Sequence, residues 1–422
     1  MKNKTIFVIL LITIFLNYWF PKAGIKLSEI PITISMIAFI GLIIIWLLKY
    51  ISNRKIKISY LHIIIFMGES YFLFRLVFSL LLGEELSNVV GYLLPTAVYP
   101  FIFFIITNEI DTKEKYDKIM KVLVIGFFVL CLYSFAQYIL GISTIDIPGL
   151  TVNYTDYQEN GEYWYLQKSN GVTEENAKIV STYQNGNLLG VNLIIFFPVI
   201  YDYLLKNKKN KLAIISMVFF ILTLFLTLSR ACWLGIVLFL FFRIILDREN
   251  TKKKMVRKMI LVLLGIASIV FILKNFPTVS NRILSMDFED LISMSGRTEG
   301  AIEFLNSMFN DGNIFVNLII GPFSFIKDVG LAYEMTPLAV LKIGGIIGLT
   351  LWLWGFVKYL FQMNKKEKIE NSYRLALIIW FIVGLIEGAY WLVPTAFNLF
   401  AMLGLGYAYK YNLEKSEKGE IR

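Results

Sequence analysis

Residues 225–235 read FLTLSRACWLG and join two apolar runs, LAIISMVFFILTLFLTL before the junction and ACWLGIVLFLFF within and after it. Two such runs, separated by a short polar junction, predict a pair of membrane-spanning helices. Ser229 and Arg230 occupy the junction. An arginine at the hydrocarbon edge is costly unless it faces water, a partner or a ligand. Arg230 is therefore a candidate functional residue, and its role depends on the face of the membrane on which it lies.

The composition of the whole chain agrees with this local pattern. Of 422 residues, 57% are hydrophobic and 17% are charged, whereas soluble domains carry about 25% charged residues. The deficit runs along the whole chain, which indicates a multi-span membrane protein. The net charge of +10 is interpreted as basic residues that fix membrane orientation, in preference to nucleic-acid binding.

Twelve apolar segments have about the length that a spanning helix needs. We therefore predict an all-α polytopic membrane protein of about twelve transmembrane helices, forming one transmembrane domain over residues 1–422. The first segment is read as an uncleaved helix, because bulky aromatic residues follow it where a signal peptide needs a small-residue cleavage site. The predicted spans are 5–20, 32–51, 60–82, 88–107, 118–141, 181–205, 212–228, 230–246, 259–274, 337–361, 375–394 and 396–411.

Alternate connectors between these spans are rich in lysine and arginine. Positive residues mark the cytoplasmic side of a membrane protein, so both termini are predicted to be cytoplasmic. Arg230 then lies on the outer side. The basic segments are KYISNRKIK, TKEKYDKIMK, KNKKNK, DRENTKKKMVRK, MNKKEK and the tail EKSEKGEIR.

Two outer connectors are long, residues 142–180 and residues 275–336. Loops of that length usually carry function or disorder, so we expect the activity on the outer face. The second loop contains LISMSGRTEGAIEFLNSMF, in which Ser295 is a candidate helix N-cap. Apolar residues follow it at helical spacing, which predicts a short amphipathic helix on the membrane surface.

Several outer side chains could contact a ligand. Gln184 and Asn187 are polar residues at the mouth of span six, where an aqueous or headgroup-lined cavity would suit them. Trp164 could pack against the C–H face of a sugar, or could belong to an interfacial aromatic belt. Glu334 precedes span ten and could act as a base or bind sugar hydroxyls; an ordinary solvated charge is equally compatible with its position.

The remaining polar and sulfur-containing residues favour structural roles. Arg75 and Glu387 both fall inside predicted spans, and a buried ion pair between them would remove two isolated charges. Cys131 and Cys232 lie in apolar runs and are expected to be small core residues. The single histidine, His62, is expected at a membrane interface. No clustered Asp and His residues suggest a metal site.

The chain resembles the O-antigen polymerase and O-antigen ligase superfamily of polytopic glycosyltransferases. The similarity is one of layout over nearly the whole chain. Four short segments carry it: TYQNGNLLG at the start of span six, LTLSRACWLG, SGRTEGAIEFL, and LKIGGIIGLTLWLW after the second long loop.

The resemblance implies a metal-independent glycosyltransferase without a cofactor, which uses an undecaprenyl-pyrophosphate-linked glycan on the outer face of a bacterial cytoplasmic membrane. An acceptor hydroxyl would attack the anomeric carbon, and the lipid pyrophosphate would leave. Arginine suits that leaving group because its planar fork binds phosphate oxygens in pairs. We assign catalysis to Arg230 and Arg297, which would bind the pyrophosphate, and to Glu334 as the base. Substrate binding is assigned to Arg282, Lys178, Asn187, Gln184, Tyr333 and Trp164.

Within the superfamily, ligases typically place a histidine just before the span that follows the large loop. Here that neighbourhood reads AYEMTP, which favours the polymerase branch. The first long loop has no arginine, which argues against arginine motifs in both outer loops. The expected partners are a lipid-linked oligosaccharide, membrane lipids, a flippase and a chain-length regulator. The alternatives are an O-antigen ligase or protein O-oligosaccharyltransferase, and a transporter or lipid flippase.

Overall fold

The computed structural model describes residues 3–27, 30–53, 56–161, 164, 178–246, 274, 302, 306, 314–321, 335–364, 367–388 and 394–414. The described chain is mainly helical. Its α-helices are α1 (Asn3–Trp19), α2 (Ile34–Asn53), α3 (Tyr60–Leu81), α4 (Leu86–Leu93), α5 (Phe101–Glu109), α6 (Lys113–Leu140), α7 (Tyr154–Asn160), α8 (Gly186–Lys206), α9 (Asn210–Leu226), α10 (Arg230–Leu246), α11 (Ile314–Ile320), α12 (Thr336–Gln362), α13 (Lys368–Gly384) and α14 (Thr395–Ala408). π-Helical turns cover Leu94–Val98 and Tyr409–Glu414, and a 3₁₀ turn covers Ser143–Ile145.

Five of the described helical stretches are long and apolar enough to cross a bilayer, which confirms a membrane-embedded helical protein. They are Tyr60–Leu81, Val89–Glu109, Lys113–Leu140, Gly186–Lys206 and Thr336–Gln362. Shorter apolar helices cover Lys4–Trp19, Ile34–Tyr50 and Asn210–Leu226. The predicted span 259–274 lies outside the described residues except for Lys274, so the count of twelve stays a prediction.

Helix α8 forms the centre of the bundle. In its most apolar window, 94% of the residues are buried, compared with 39% in α3 and 44% in α12. It packs against α6, α9, α10, α13 and α14. Large apolar side chains of the peripheral helices point outward, as Phe74 and Phe361 do with 65% and 83% of their surface exposed. That distribution is the one expected of helices that face lipid.

Amides cross-link three helices inside this apolar core. Asn17 of α1 donates to Asn398 of α14 at 3.1 Å, and Asn398 donates to Asn192 of α8 at 2.7 Å. Asn192 in turn donates to Thr395 at 3.0 Å. All four side chains are at most 2% exposed. Interhelical amide hydrogen bonds of this kind hold membrane helices together where hydrophobic packing gives little preference between helix and lipid.

Helix ends that border the basic connectors meet on one side of the bundle, here called the basic face. The first turn of α1 also lies there, because the Lys115 ammonium is 5.7 Å from the Phe7 ring. The described pairs on this face join Lys49 with Glu109, Lys57 with Asn108, Arg243 with Asp202, Lys410 with Glu370, and Asn412 with Thr107. The helices thus alternate in direction as the charge pattern predicted; the compartment on each side stays a prediction.

The mainly helical structure agrees with the predicted all-α class, and the opposite face adds one small β-element that was not predicted. Strands β1 (Gly24–Leu27) and β2 (Ile30–Thr33) form an antiparallel hairpin between α1 and α2. Lys26 of β1 forms an ion pair with Asp156 of α7, and its backbone N–H donates to Thr155. Part of the first long loop is therefore folded and bound to this hairpin.

Helix α12 is broken at Gly345, where φ is +58°. A side chain there would collide with the Ile319 carbonyl, so glycine permits the close approach of α11. Arg75 of α3 donates from Nε to the Ile320 carbonyl at 2.7 Å and from Nη2 to Gly321 at 3.2 Å. The buried guanidinium thus caps the C-terminus of α11, where a cation is favoured. This contact accounts for Arg75 without the carboxylate that the sequence suggested, Glu387.

Other predicted features differ in detail. The expected span 88–107 is present as the stretch Val89–Glu109, in which a π-turn covers Leu94–Val98 at the position of Pro95. His62 is buried, not interfacial: its ring contacts the hydroxyls of Ser59 at 2.7 Å and Thr107 at 2.8 Å. Cys131 and Cys232 are free and buried, which confirms their assignment to the core.

Candidate functional site

A short segment on the opposite face, residues 178–185, is fixed to the bundle by buried hydrogen bonds. Gln137 of α6 exchanges two of them with the backbone of Ser181, at 3.1 and 2.7 Å. Thr182 and Tyr183 donate to the last carbonyls of α1, at 2.6 and 2.8 Å. These contacts give the mouth of α8 a rigid support.

Helix α8 starts directly after this segment, and its first residues bring three parts of the chain together. The Asn185 side chain caps the helix by accepting from the Leu188 N–H at 2.9 Å. A Cβ on Gly186 would lie 2.7 Å from the Thr227 carbonyl and 3.0 Å from the Ile179 carbonyl. Glycine thus lets the α9–α10 turn and residue 178 approach the N-terminus of α8.

The central feature of the site is a hydrogen-bonded chain from Lys178 through Asn187 to Glu387. The Lys178 ammonium donates to Asn187 Oδ1 at 3.1 Å, and Asn187 Nδ2 donates to Glu387 Oε2 at 2.9 Å. Because a carboxylate only accepts and an ammonium only donates, these two neighbours fix the orientation of the amide. A cation and an anion are thus held on the two sides of one half-buried amide.

Glu387 is 7% exposed and follows the end of α13. The predicted span 375–394 was wrong here, because the helix ends at Gly384 and residues 385–388 form a turn and an extended stretch. Thr336, the first residue of α12, donates to the Glu387 main-chain carbonyl at 3.1 Å. Thr336 comes two residues after Glu334 in the chain, so the segment that carries Glu334 leads into this cluster.

Arg230 opens α10 on the same face, immediately after the α9–α10 turn. Leu228 in that turn has a φ of +51°, a strained conformation for a non-glycine residue. Two residues beyond Arg230, the Cys232 thiol lies 3.8 Å from the Asn187 carbonyl and within electrostatic range of both Glu387 and Lys178. The start of α10 therefore borders the Lys178–Asn187–Glu387 cluster.

Trp164 has a different environment from the one expected of a sugar-stacking residue. It is 2% exposed, and its indole N–H donates to Asp146 at 2.6 Å. The Lys22 ammonium lies 3.7 Å from the centre of its ring. The prediction that Trp164 stacks on a sugar is corrected, since one ring face contacts a cation and the side chain is buried.

Asp146, the acceptor for Trp164, lies outside the spanning helices. Burial raises the pKa of its carboxyl above the usual 3.8, against the opposing effects of the Trp164 N–H and the Lys22 charge. The Trp164–Asp146–Lys22 group therefore links the first long loop to the end of α1 and serves as a structural contact.

The other predicted site residues divide into two sets. Gln184 is half-buried beside the α8 cap. Arg282, Arg297, Tyr333 and Glu334 lie outside the described residues, as does the predicted amphipathic helix except for Ile302 and Asn306. The convergence of Arg230 with Arg297 thus stays a prediction.

The arrangement can hold an anion beside a carboxylate. Lys178 supplies positive charge, and Glu387 and Asn187 supply groups that can orient a polar ligand. Arg230 begins the helix whose Cys232 contacts Asn187. Among the described residues, no three His, Cys, Asp or Glu side chains are grouped as metal ligands would be.

Sequence reasoning did not select Glu387 because it counted the residue inside a hydrophobic span. The signal was present in the GLIEGAY segment, where two glycines flank the carboxylate. Glycines next to a charged residue near the end of an apolar run are typical of a helix terminus.

No protein-family model, curated protein or solved structure matches this chain.

Proposed function

We propose that this protein is a polysaccharide polymerase of the membrane, which extends a glycan by transfer between undecaprenyl-pyrophosphate-linked units. The growing glycan would move from its lipid carrier to the terminal sugar of a new lipid-linked repeat unit. The new glycosidic bond forms as the bond between the anomeric carbon and the pyrophosphate breaks. The acceptor proton passes to a carboxylate.

The observation that carries this proposal is the Lys178–Asn187–Glu387 chain beside the start of α10. A lipid pyrophosphate gains negative charge as it leaves, and positioned cations lower the barrier for that step. Arg230 would bind the phosphate oxygens in a bidentate manner, together with Arg297. The Lys178 ammonium would add a third positive charge.

Two carboxylates have distinct roles in the proposal. Glu334 is the candidate base for the acceptor hydroxyl. Glu387 is a positioning residue. It accepts a hydrogen bond from the NH₂ group of Asn187, so that the amide oxygen faces Lys178 and accepts from its ammonium. Loss of Glu387 would therefore weaken pyrophosphate binding without removing the base.

The test uses purified protein in liposomes with a lipid-linked repeat unit, and the product is separated by chain length. The wild type is expected to give a ladder of longer glycans. Arg230→Ala and Arg297→Ala are expected to abolish the ladder, and Arg230→Lys, which keeps the charge but loses the fork, to retain part of it. A wild type without a ladder, or an intact ladder in both alanine variants, would refute the proposal.

The acceptor and the product separate this function from its rivals. Cells that lack a polymerase accumulate single lipid-linked repeat units, whereas cells that lack a ligase accumulate finished lipid-linked polymer. A flippase or transporter would move substrate across proteoliposomes without forming a bond.

A further inference from the structure

A cavity of about 130 Å³ opens on the basic face, between the ends of α6, α8, α13 and the final π-turn. Its polar lining comes from Lys113, Tyr116 and Asp117 of α6, from Tyr203 and Lys206 of α8, from Asn207, and from Tyr409. It lies at the far end of the bundle from the Lys178–Asn187–Glu387 cluster, so the proposed polymerase chemistry does not use it.

The aromatic wall of this cavity is already ordered. Tyr116 is 2% exposed, and its hydroxyl is 2.9 Å from that of Tyr373. Its ring packs against Tyr409 at 5.4 Å and against Tyr203 at 6.4 Å between centroids. A ligand would therefore meet a preformed surface and would lose little free energy in ordering it.

The charges around the cavity favour an anion. Lys113 and Lys206 are both exposed at its rim, and they outweigh the one acidic side chain of the lining, Asp117. Lys206 also donates to the Tyr409 hydroxyl, which in turn donates to Glu367 at 3.3 Å. The N-terminus of α6 borders the rim and adds the positive end of a helix dipole.

The floor of the cavity is apolar and is formed by Ile369 and Leu413, which are 1% and 6% exposed. A site with lysines at the rim, tyrosine rings in the wall and aliphatic side chains beneath matches an amphiphile with an anionic head. Tyrosines of this kind are typical of the bilayer interface, where one end of the side chain is apolar and the other is wet. Free phosphate would use the rim and leave the floor unused.

We propose that this cavity binds the phosphate headgroup of an anionic membrane phospholipid. Basic pockets between transmembrane helices are known sites for such headgroups. The two lysines would contact the phosphate oxygens, and the tyrosine wall would contact the glycerol backbone. The bound lipid would bridge α6, α8, α13 and the final π-turn, which are otherwise joined on this face by side-chain contacts.

The test is native mass spectrometry of the full-length protein with phosphatidylglycerol and with phosphatidylcholine of identical acyl chains. The two lysines are expected to favour the anionic lipid by about tenfold or more in apparent dissociation constant. The double variant Lys113→Gln/Lys206→Gln should lose that preference. The matched control is Lys209→Gln/Lys211→Gln, which removes the same charge from exposed residues outside the lining, and it should keep the preference.

Three results would overturn the proposal. The first is equal binding of both lipids by the wild type. The second is a lipid preference that is unchanged in the Lys113→Gln/Lys206→Gln variant. An equal loss of the preference in the Lys209→Gln/Lys211→Gln control counts with it, because it would indicate a general effect of charge on this face. The third concerns inorganic phosphate at low millimolar concentration. If it displaces phosphatidylglycerol and also binds to the lipid-free protein with the same affinity, the cavity is a free-phosphate site. None of these outcomes depends on the polymerase assay.

Discussion

The two ends of α10 place an arginine in two different settings. Arg243, near the basic face, forms an ion pair with Asp202, whose side chain is 1% exposed. Arg230 begins the opposite end of the same helix, where Cys232 contacts a cluster in which an amide separates the Lys178 ammonium from the Glu387 carboxylate. Direct cross-helix ion pairs thus join helices on the basic face, whereas in this cluster of the opposite face an amide lies between the two charged groups. A protein can use the first arrangement for stability and the second for a ligand.

The largest expected effect concerns catalysis. Arg230→Ala should lower the polymerisation rate by about 10²–10³-fold, which is the usual cost of removing one donor to a developing negative charge. Glycan chain growth per unit time in liposomes measures it. The melting temperature should change little, because Arg230 is half-buried at a helix start. If Arg230→Ala instead has a much lower melting temperature and a normal polymerisation rate per folded molecule, Arg230 has a structural role and the proposed difference between the two ends of α10 is wrong.

Arg243→Ala should act in the opposite way. It leaves the Asp202 carboxylate buried without its cation, and breaking such a pair costs about 3–5 kcal/mol in unfolding free energy. Thermal unfolding in detergent would measure this loss, and the rate per folded molecule should stay near that of the wild type. In the matched control, Arg243→Ala/Asp202→Leu, the loss should be smaller since no buried charge remains. Equal losses in the single and double variants would contradict the ion-pair assignment.

Asn187→Leu sharpens the comparison within the opposite face. The substitution removes the amide between Lys178 and Glu387, and the buried Glu387 carboxylate then loses a hydrogen bond at a cost of about 1–3 kcal/mol. We expect activity to fall by about tenfold, with a higher KM for the lipid-linked donor because Lys178 is no longer positioned. Gln158→Leu, an amide-to-leucine change at an exposed residue of α7, is the control and should have the smaller effect. A normal KM in Asn187→Leu would show that the amide does not position Lys178.

The smallest effect is a change in pH dependence. Burial raises the folded-state pKa of Asp146 above 3.8, so between that value and the raised pKa the folded protein binds more protons than the unfolded chain. This contribution to stability therefore decreases as pH rises through the window. Melting temperatures from pH 3.5 upward should show the wild type losing stability relative to Asp146→Asn, whose side-chain oxygen can still accept from Trp164. A difference that stays constant with pH would refute this assignment.

Much of the helical layout could be predicted from apolar runs and from the spacing of basic connectors. Helices α1, α2, α3 and α6 begin and end within a few residues of their predicted bounds, apart from the start of α6. The short strands β1 and β2 could not be predicted, because GIKL and IPIT are only four residues long and the α7 residues that contact Lys26 are about 130 residues away in the chain. The end of α13 was placed ten residues too late because hydropathy continues through YWLV after the helix has stopped at Gly384.

Only some residues of the candidate site could be selected from the sequence. Lys178 and Asn187 were selected separately, since each is a polar residue near an outer helix mouth. Glu387, which accepts from Asn187, lies 200 residues farther along the chain, and no local pattern joins the two regions. Trp164 was misassigned because sequence distinguishes poorly between an aromatic ring in a binding surface and one buried against Asp146.

The capped terminus of α11 has a consequence for how the second long loop can vary. Arg75 binds the loop at Ile320 and Gly321, next to the break in α12. This anchor divides the loop into two segments, one before α11 and one after it. We expect insertions or deletions before α11 to leave the position of α12 unchanged, because the contact with Arg75 fixes the end of α11. The stretch from Gly321 to Thr336 has two fixed ends, Gly321 bonded to Arg75 and Thr336 bonded to the Glu387 carbonyl, so an insertion between them would have to be accommodated without moving either anchor.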